Sequence, residues 1–118
     1  MTLLRGTWLL ALVAMTLFAP GIRSSAAAPA RQSTTATMQN LAFVPKTITV
    51  SAGSTVVWTN QDQVQHSVTA DGGTFDSGLL DPGQTFSVTF DTPGTYAYYC
   101  VPHGFPGGAG MSGVVVVQ

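Results

Sequence analysis

Lys46 to Ala70 reads KTITVSAGSTVVWTNQDQVQHSVTA, and the punctuation of this stretch decides the fold class. Three runs, Lys46–Val50, Ser54–Asn60 and Val64–Ala70, alternate apolar with polar residues and are rich in β-branched side chains. Between them SAG and NQDQ carry the residues that turns require. The pattern continues in Gln84–Phe90 and Thr95–Cys100, set off by DGG, DPG and DTPG. Met38–Val44 reads as a first strand and Val114–Val117 as a last one buried on both faces, with Gln32–Thr37 a frayed lead-in. No stretch has a helical period. Short strands at this spacing predict an all-β protein, a sandwich or small barrel.

Strand alternation also assigns faces. In Val64–Val68 the histidine His66 shares a side with Val64 and Val68 and is expected to point inward, with Gln65 and Ser67 turned away. Cys100 shares a side with Tyr96 and Tyr98, and Tyr99 faces the other way. Taken singly, a histidine on an apolar face reads as a hydrogen-bonded core residue, and a lone buried cysteine as a small hydrophobe.

The start of the chain sets the compartment. Arg5 gives a positive n-region, Gly6–Ala19 is an uncharged and mostly apolar run, and small residues follow in SSAAAPA. Residues 1–30 are therefore expected to be an export signal, cut after Ala30 or, second, after Ala28. The run is shorter than the roughly 20 residues of a spanning helix, so no stable membrane insertion is expected after cleavage. The protein is expected to act in the periplasm or outside the cell. Residues 31–37 then form a flexible lead-in and 38–118 one small domain.

Beyond residue 30 the chain carries Arg31 and Lys46 against Asp62, Asp71, Asp76, Asp81 and Asp91. Nucleic acid is excluded as a partner, because phosphate binding needs clustered Lys and Arg. One cysteine forbids an internal disulfide, and an exported domain of this size commonly needs a staple, which leaves metal as the obvious alternative. Cys100 and His103 lie three apart where a strand ends, and His66 is supplied from a distant segment. A closed zinc site needs four Cys or His ligands and the chain beyond residue 30 has three. Scattered aspartates do not make a site for hard cations. Two imidazoles, a thiolate and a weak axial thioether are the ligand set of blue-copper electron transfer. A thiol hydrolase is disfavoured because no helix N-terminus is available to activate Cys100. GFPGGAG lacks the Lys-Ser/Thr and following helix of a phosphate loop.

YCVPHGFPGGAGM (Tyr99–Met111) resembles the C-terminal copper loop of small cupredoxins of the plastocyanin, amicyanin and halocyanin type. VVWTNQDQVQHSV resembles that family's strand and first histidine, and DTPGTYAYYC its approach to the cysteine. The resemblance runs from about Met38 to Val117. It implies a cupredoxin-like Greek-key β-sandwich of about seven to eight strands, holding one copper ion on His66, Cys100, His103 and Met111 that cycles between Cu(I) and Cu(II). The implied function is a soluble one-electron carrier and not an enzyme, with a copper delivery or storage protein of the same fold as the alternative. Redox partners are expected to dock briefly around His103, Phe105 and Pro106.

Two departures from the family pattern stand out. The spacing is C-x₂-H-x₇-M, where two or four residues commonly separate the histidine from the methionine. Gly107 and Gly108 can take positive φ and let the longer loop bulge while Met111 returns. Ser67 stands where many members have Asn, and serine offers a shorter bond between the two ligand segments. Pro102 brings no N–H to the Cys100 sulfur.

Overall fold

The computed structural model describes residue 14, residues 16–21 and residues 31–118. The export-signal reading therefore lies largely outside the described residues. Eight strands follow one another with no α-helix among the described residues: β1 (Ser33–Gln39), β2 (Ala42–Val44), β3 (Thr47–Val50), β4 (Ser54–Asn60), β5 (Thr69–Ala70), β6 (Thr85–Phe90), β7 (Gly94–Phe105) and β8 (Ala109–Val117). They form two four-stranded sheets, ordered β2-β1-β4-β6 and β3-β8-β7-β5. β1 runs parallel to β4 and β3 parallel to β8, and the remaining pairs are antiparallel.

Period-two alternation builds the core. Along β4, Ser54, Val56, Trp58 and Asn60 are buried while the residues between them are half-buried. Trp58 is fully buried and packs on Tyr98 from the opposite sheet with ring centroids 5.3 Å apart, and on Phe75, Phe86 and Phe90. Its indole N–H donates to the Tyr98 hydroxyl at 3.2 Å, so the polar tips of two large rings satisfy each other inside the sandwich. Burial pushes the Tyr98 phenol up to about 12, which keeps it neutral through the physiological range.

Three expectations about strand limits need correction. Residues 33–37 belong to β1 and are not a flexible lead-in. They pair with Thr55–Thr59 of β4, and Ala36 is fully buried, so the Thr-rich alternation of this segment is that of a strand with one inward face. Val64–Ala70 is not a continuous strand: only Thr69 and Ala70 pair with β7, at Tyr99 and Tyr98. Upstream, the backbone donors of Ser67 and Val68 go to the Cys100 sulfur and the Ser77 hydroxyl in place of a neighbouring strand. Consequently Ser67 is buried and Val64 is exposed, the reverse of strict alternation. The third correction concerns the chain end. β8 starts at Ala109, and Val114 and Val116 are only half-buried, so the final valines are not covered on both faces.

The last two strands carry a tightly constrained contact. Tyr98 stands opposite Gly113 across the β7–β8 ladder, and a Cβ at residue 113 would lie 2.5 Å from the Tyr98 ring and hydroxyl. The ring occupies the space a side chain would need. Gly113→Ala is expected to destabilise the fold by about 1–3 kcal/mol, the usual cost of overpacking, which chemical unfolding will measure as a lower midpoint at unchanged slope.

Candidate metal centre

A break of register creates the site. In the β7–β8 ladder Tyr99 pairs with Ser112 and the next pair is Gly104 with Gly110. Cys100, Val101, Pro102 and His103 thus stand opposite the single residue Met111. The bulged backbone brings two ligand-type side chains of one strand to the same pole of the sandwich. Beyond the break the two strands resume as a hairpin through Pro106, Gly107 and Gly108, with the two glycines at φ 88° and 83°. The long spacing between His103 and Met111 is therefore a hairpin and no slack loop. A Cβ at Gly110 would fall 2.5 Å from the His103 carbonyl oxygen, and one at Gly104 the same distance from the Met111 carbonyl oxygen. The Gly107 N–H donates to an Asp71 carboxylate oxygen at 2.8 Å, which ties the hairpin tip to the body.

His66 arrives from the segment between β4 and β5. The buried Asn60 shapes that segment by donating from Nδ2 to the carbonyls of Val64 (2.9 Å) and Leu80 (3.0 Å) and accepting the Asp62 N–H on Oδ1 (3.0 Å). His66 and Leu80 exchange both backbone hydrogen bonds, at 3.1 and 2.7 Å. The imidazole is fully buried. Its Nε2 lies 2.7 Å from Asp62 Oδ2, and because a carboxylate only accepts, Nε2 is the ring nitrogen that donates to it while Nδ1 points inward.

Three donor atoms then converge. His66 Nδ1 lies 3.1 Å from His103 Nδ1, and Cys100 Sγ lies 3.5 Å from each nitrogen. A point equidistant from the three lies about 2 Å from each, the length of a metal–imidazole bond and slightly under that of a metal–thiolate bond. The donor set fits a soft, small cation. His66 and Cys100 are buried and His103 is the most open of the three. Met111, buried at 4% exposure, occupies the β8 position facing the bulge.

Ser67 joins the two ligand segments. Its N–H points at the Cys100 sulfur at 3.4 Å, and its Oγ accepts the Val101 N–H at 2.8 Å. The hydroxyl passes on to Thr69 Oγ1 (3.0 Å), which donates to Asp76 Oδ1 (3.0 Å). A short side chain thus makes the cross-link expected of it, because its backbone lies close enough to contact the cysteine itself.

Burial pushes the Cys100 thiol up, and the backbone N–H groups of Ser67 and His103 oppose that only in part. At neutral pH the metal-free thiol is protonated. Metal binds the thiolate, so uptake is expected to release about one proton per ion and to weaken about tenfold for each unit of acidification. Calorimetry in buffers of differing ionisation enthalpy counts that proton directly. At Asp62 the Leu41 N–H bond leads, followed by burial acting against it and then the His66 and Asn40 contacts, and the carboxyl is held below the usual carboxylate range.

The sequence pattern marks His66, Cys100, His103 and Met111, and the fold brings the first three within 4.8 Å of one another. Asp62 and Asn60 were not singled out as part of the site. The available signal was Asp62 standing four residues before His66, with Asn60 two before that. Gly110→Ala is expected to misplace His103 and cut metal affinity at least tenfold, since both the contact at 2.5 Å and φ of 66° forbid a side chain there. Chelator competition measures the loss.

Comparison with known proteins gives concordant results. The sequence model for copper binding proteins of the plastocyanin/azurin family matches residues 30–118. A chloroplastic plastocyanin of Tetradesmus obliquus is 42% identical over 89 residues, covering 66% of this chain and 59% of that protein. The plastocyanin of Scenedesmus fuscus is 39% identical over 89 residues, covering 66% of this chain and 88% of that one. Among solved structures, a Cu(I) form of an amicyanin variant superposes with a TM-score of 0.64 at 27% identity, covering 73% of this chain and 82% of its own. A purple cupredoxin from Nitrosopumilus maritimus gives 0.62 at 27% identity, covering 72% and 99% respectively.

Proposed function

This chain belongs to the plastocyanin/azurin family of copper-binding proteins, and from that premise we propose that it is an exported type 1 copper protein that carries single electrons between redox partners. The observation that carries the reading is the triangle of His66 Nδ1, Cys100 Sγ and His103 Nδ1, with sides of 3.1, 3.5 and 3.5 Å. Copper held there supplies a one-electron couple between Cu(I) and Cu(II). Met111, buried on β8 opposite the bulge, would be the fourth and weaker ligand.

The chain's own residues do the rest. His66 is fixed by its backbone bonds to Leu80, and Cys100 by Ser67, so two ligands keep their places whichever charge the site carries. Burial of both excludes water from the thiolate side. His103 is the opening. Next to it Val101 and Phe105 are 55% and 71% exposed, giving a small, uncharged apolar rim with Pro102 and Pro106. We assign this rim to brief docking of redox partners, an encounter of less than ~1,200 Å² in total. No catalytic reaction is assigned to the chain.

Adding Cu(II) to the purified protein is expected to give an intense thiolate-to-copper band and narrow copper hyperfine splitting in EPR. Ascorbate should bleach the band and an oxidant restore it. A colourless or pale-blue complex, or copper lost to a mild chelator, overturns the carrier reading and favours copper delivery or storage.

A further inference from the structure

This inference rests on the copper-carrier reading and concerns a residue outside its ligand set. We propose that Asp62 is the positioning residue of the metal centre, whose carboxylate holds His66 in the tautomer that presents Nδ1 to the metal and locks that ring to the β1–β2 turn. Three donors converge on it: the Asn40 N–H on Oδ1 at 2.7 Å, the Leu41 N–H on Oδ2 at 2.9 Å, and His66 Nε2 on Oδ2 at 2.7 Å. Only an acceptor with two oxygens serves all three.

An amide of the same shape cannot. With its oxygen toward His66 and Leu41, its NH₂ group meets the Asn40 N–H; turned over, it meets the Leu41 N–H and the ring N–H. In the second orientation the ring clash is relieved only if His66 carries its proton on Nδ1, and the Leu41 N–H still loses its acceptor. His66 Nδ1 is the nitrogen facing Cys100 Sγ and His103 Nδ1, so the proton would occupy the lone pair a metal uses.

The turn gives the second half of the argument. Asn40 and Leu41 both have left-handed backbone, at φ 53° and 58°, although neither is glycine. They form the two-residue loop between paired Gln39 and Ala42, and both of their N–H groups point to the Asp62 carboxylate. Asp62 is itself held by its N–H bond to the buried Asn60. A chain of direct bonds therefore runs from the β1–β2 turn through one carboxylate to a metal-facing ring. The charge acts too: an anion on the far side of the imidazole favours the more positive state of the metal, so its removal raises the reduction potential.

The test compares wild type with Asp62→Asn, Asp62→Ala, and Asp62→Ala carrying Asn40→Gly and Leu41→Gly, whose glycines free the turn from needing the carboxylate. Long-range ¹H–¹⁵N NMR of the copper-free proteins reads the His66 tautomer, chelator competition reads copper affinity, and voltammetry reads the potential. The expected result is a single Nε2–H tautomer in wild type and a mixture in all variants, copper affinity about 10–100-fold lower, and a higher potential. Unchanged tautomer, affinity and potential in the variants of a wild type that turns blue overturn the proposal and leave the carrier reading standing. Recovery of all three in the glycine-bearing variant also overturns it, since the turn alone would then be responsible. A wild type that never turns blue overturns the carrier reading; the tautomer then decides, and a persistent Nε2–H form in the variants sinks the role of Asp62.

Discussion

The break of register between β7 and β8 is the constraint on which the rest depends. A ladder that stayed regular past Tyr99 would alternate Cys100 and His103 onto opposite faces, since they are three residues apart. Setting four residues against Met111 removes that alternation locally and places thiol and imidazole at one pole. The ladder then closes again at Gly104 and Gly110, where the two strands approach so closely that neither position has room for a Cβ. The bulge is thus bounded on both sides by paired strands, and it is held open by geometry at its ends as well as by contacts within it.

A bulge leaves backbone groups without ladder partners, and here the neighbouring segment takes them up. Val101 N–H goes to Ser67 Oγ, the sulfur receives Ser67 N–H, and the hydroxyl relay ends on a carboxylate of Asp76. A buried N–H left alone would cost about 1–3 kcal/mol. The Ser67 N–H, which a strand through Val64–Val68 would have paired in a ladder, is spent on the Cys100 sulfur. Loss of that strand and gain of the metal pole are therefore one event: backbone irregularity on one segment is satisfied by backbone irregularity on the next.

Much of this was legible in the sequence, and what was not has a physical reason. Alternation in Thr95–Cys100 placed Tyr98 and Cys100 on one side correctly, because they lie in a long paired strand whose partner enforces the period. The convergence of His66, Cys100 and His103 was readable from residue types and spacing. Ser67 and Val64 were assigned to the wrong sides because the period holds only while a ladder is present. β1 was placed too late, since the Thr-rich stretch before Ala36 looks polar and its pairing with the distant β4 leaves no local mark. The hairpin at Gly107 was anticipated as a bulging loop, but pairing of Phe105 with Ala109 is a cross-strand property that no local pattern announces. Asp62 was invisible as a site residue for a related reason: its three donors come from two separate parts of the chain.

The two histidines end up in opposite circumstances, and the asymmetry follows from where each sits in the chain. His66 lies between two anchored elements, with both ring nitrogens committed and no exposed surface. Its ring cannot turn without breaking the bond to Asp62 and disturbing the turn at Asn40 and Leu41. His103 sits at the end of the bulge, beside a hairpin whose tip is tied to Asp71 by one hydrogen bond. A buried, bonded ligand preserves the geometry of the centre, and an open one connects it to the outside. The order of segments along this chain supplies one of each: the buried ligand from the segment between β4 and β5, the open one from the end of the bulge in β7.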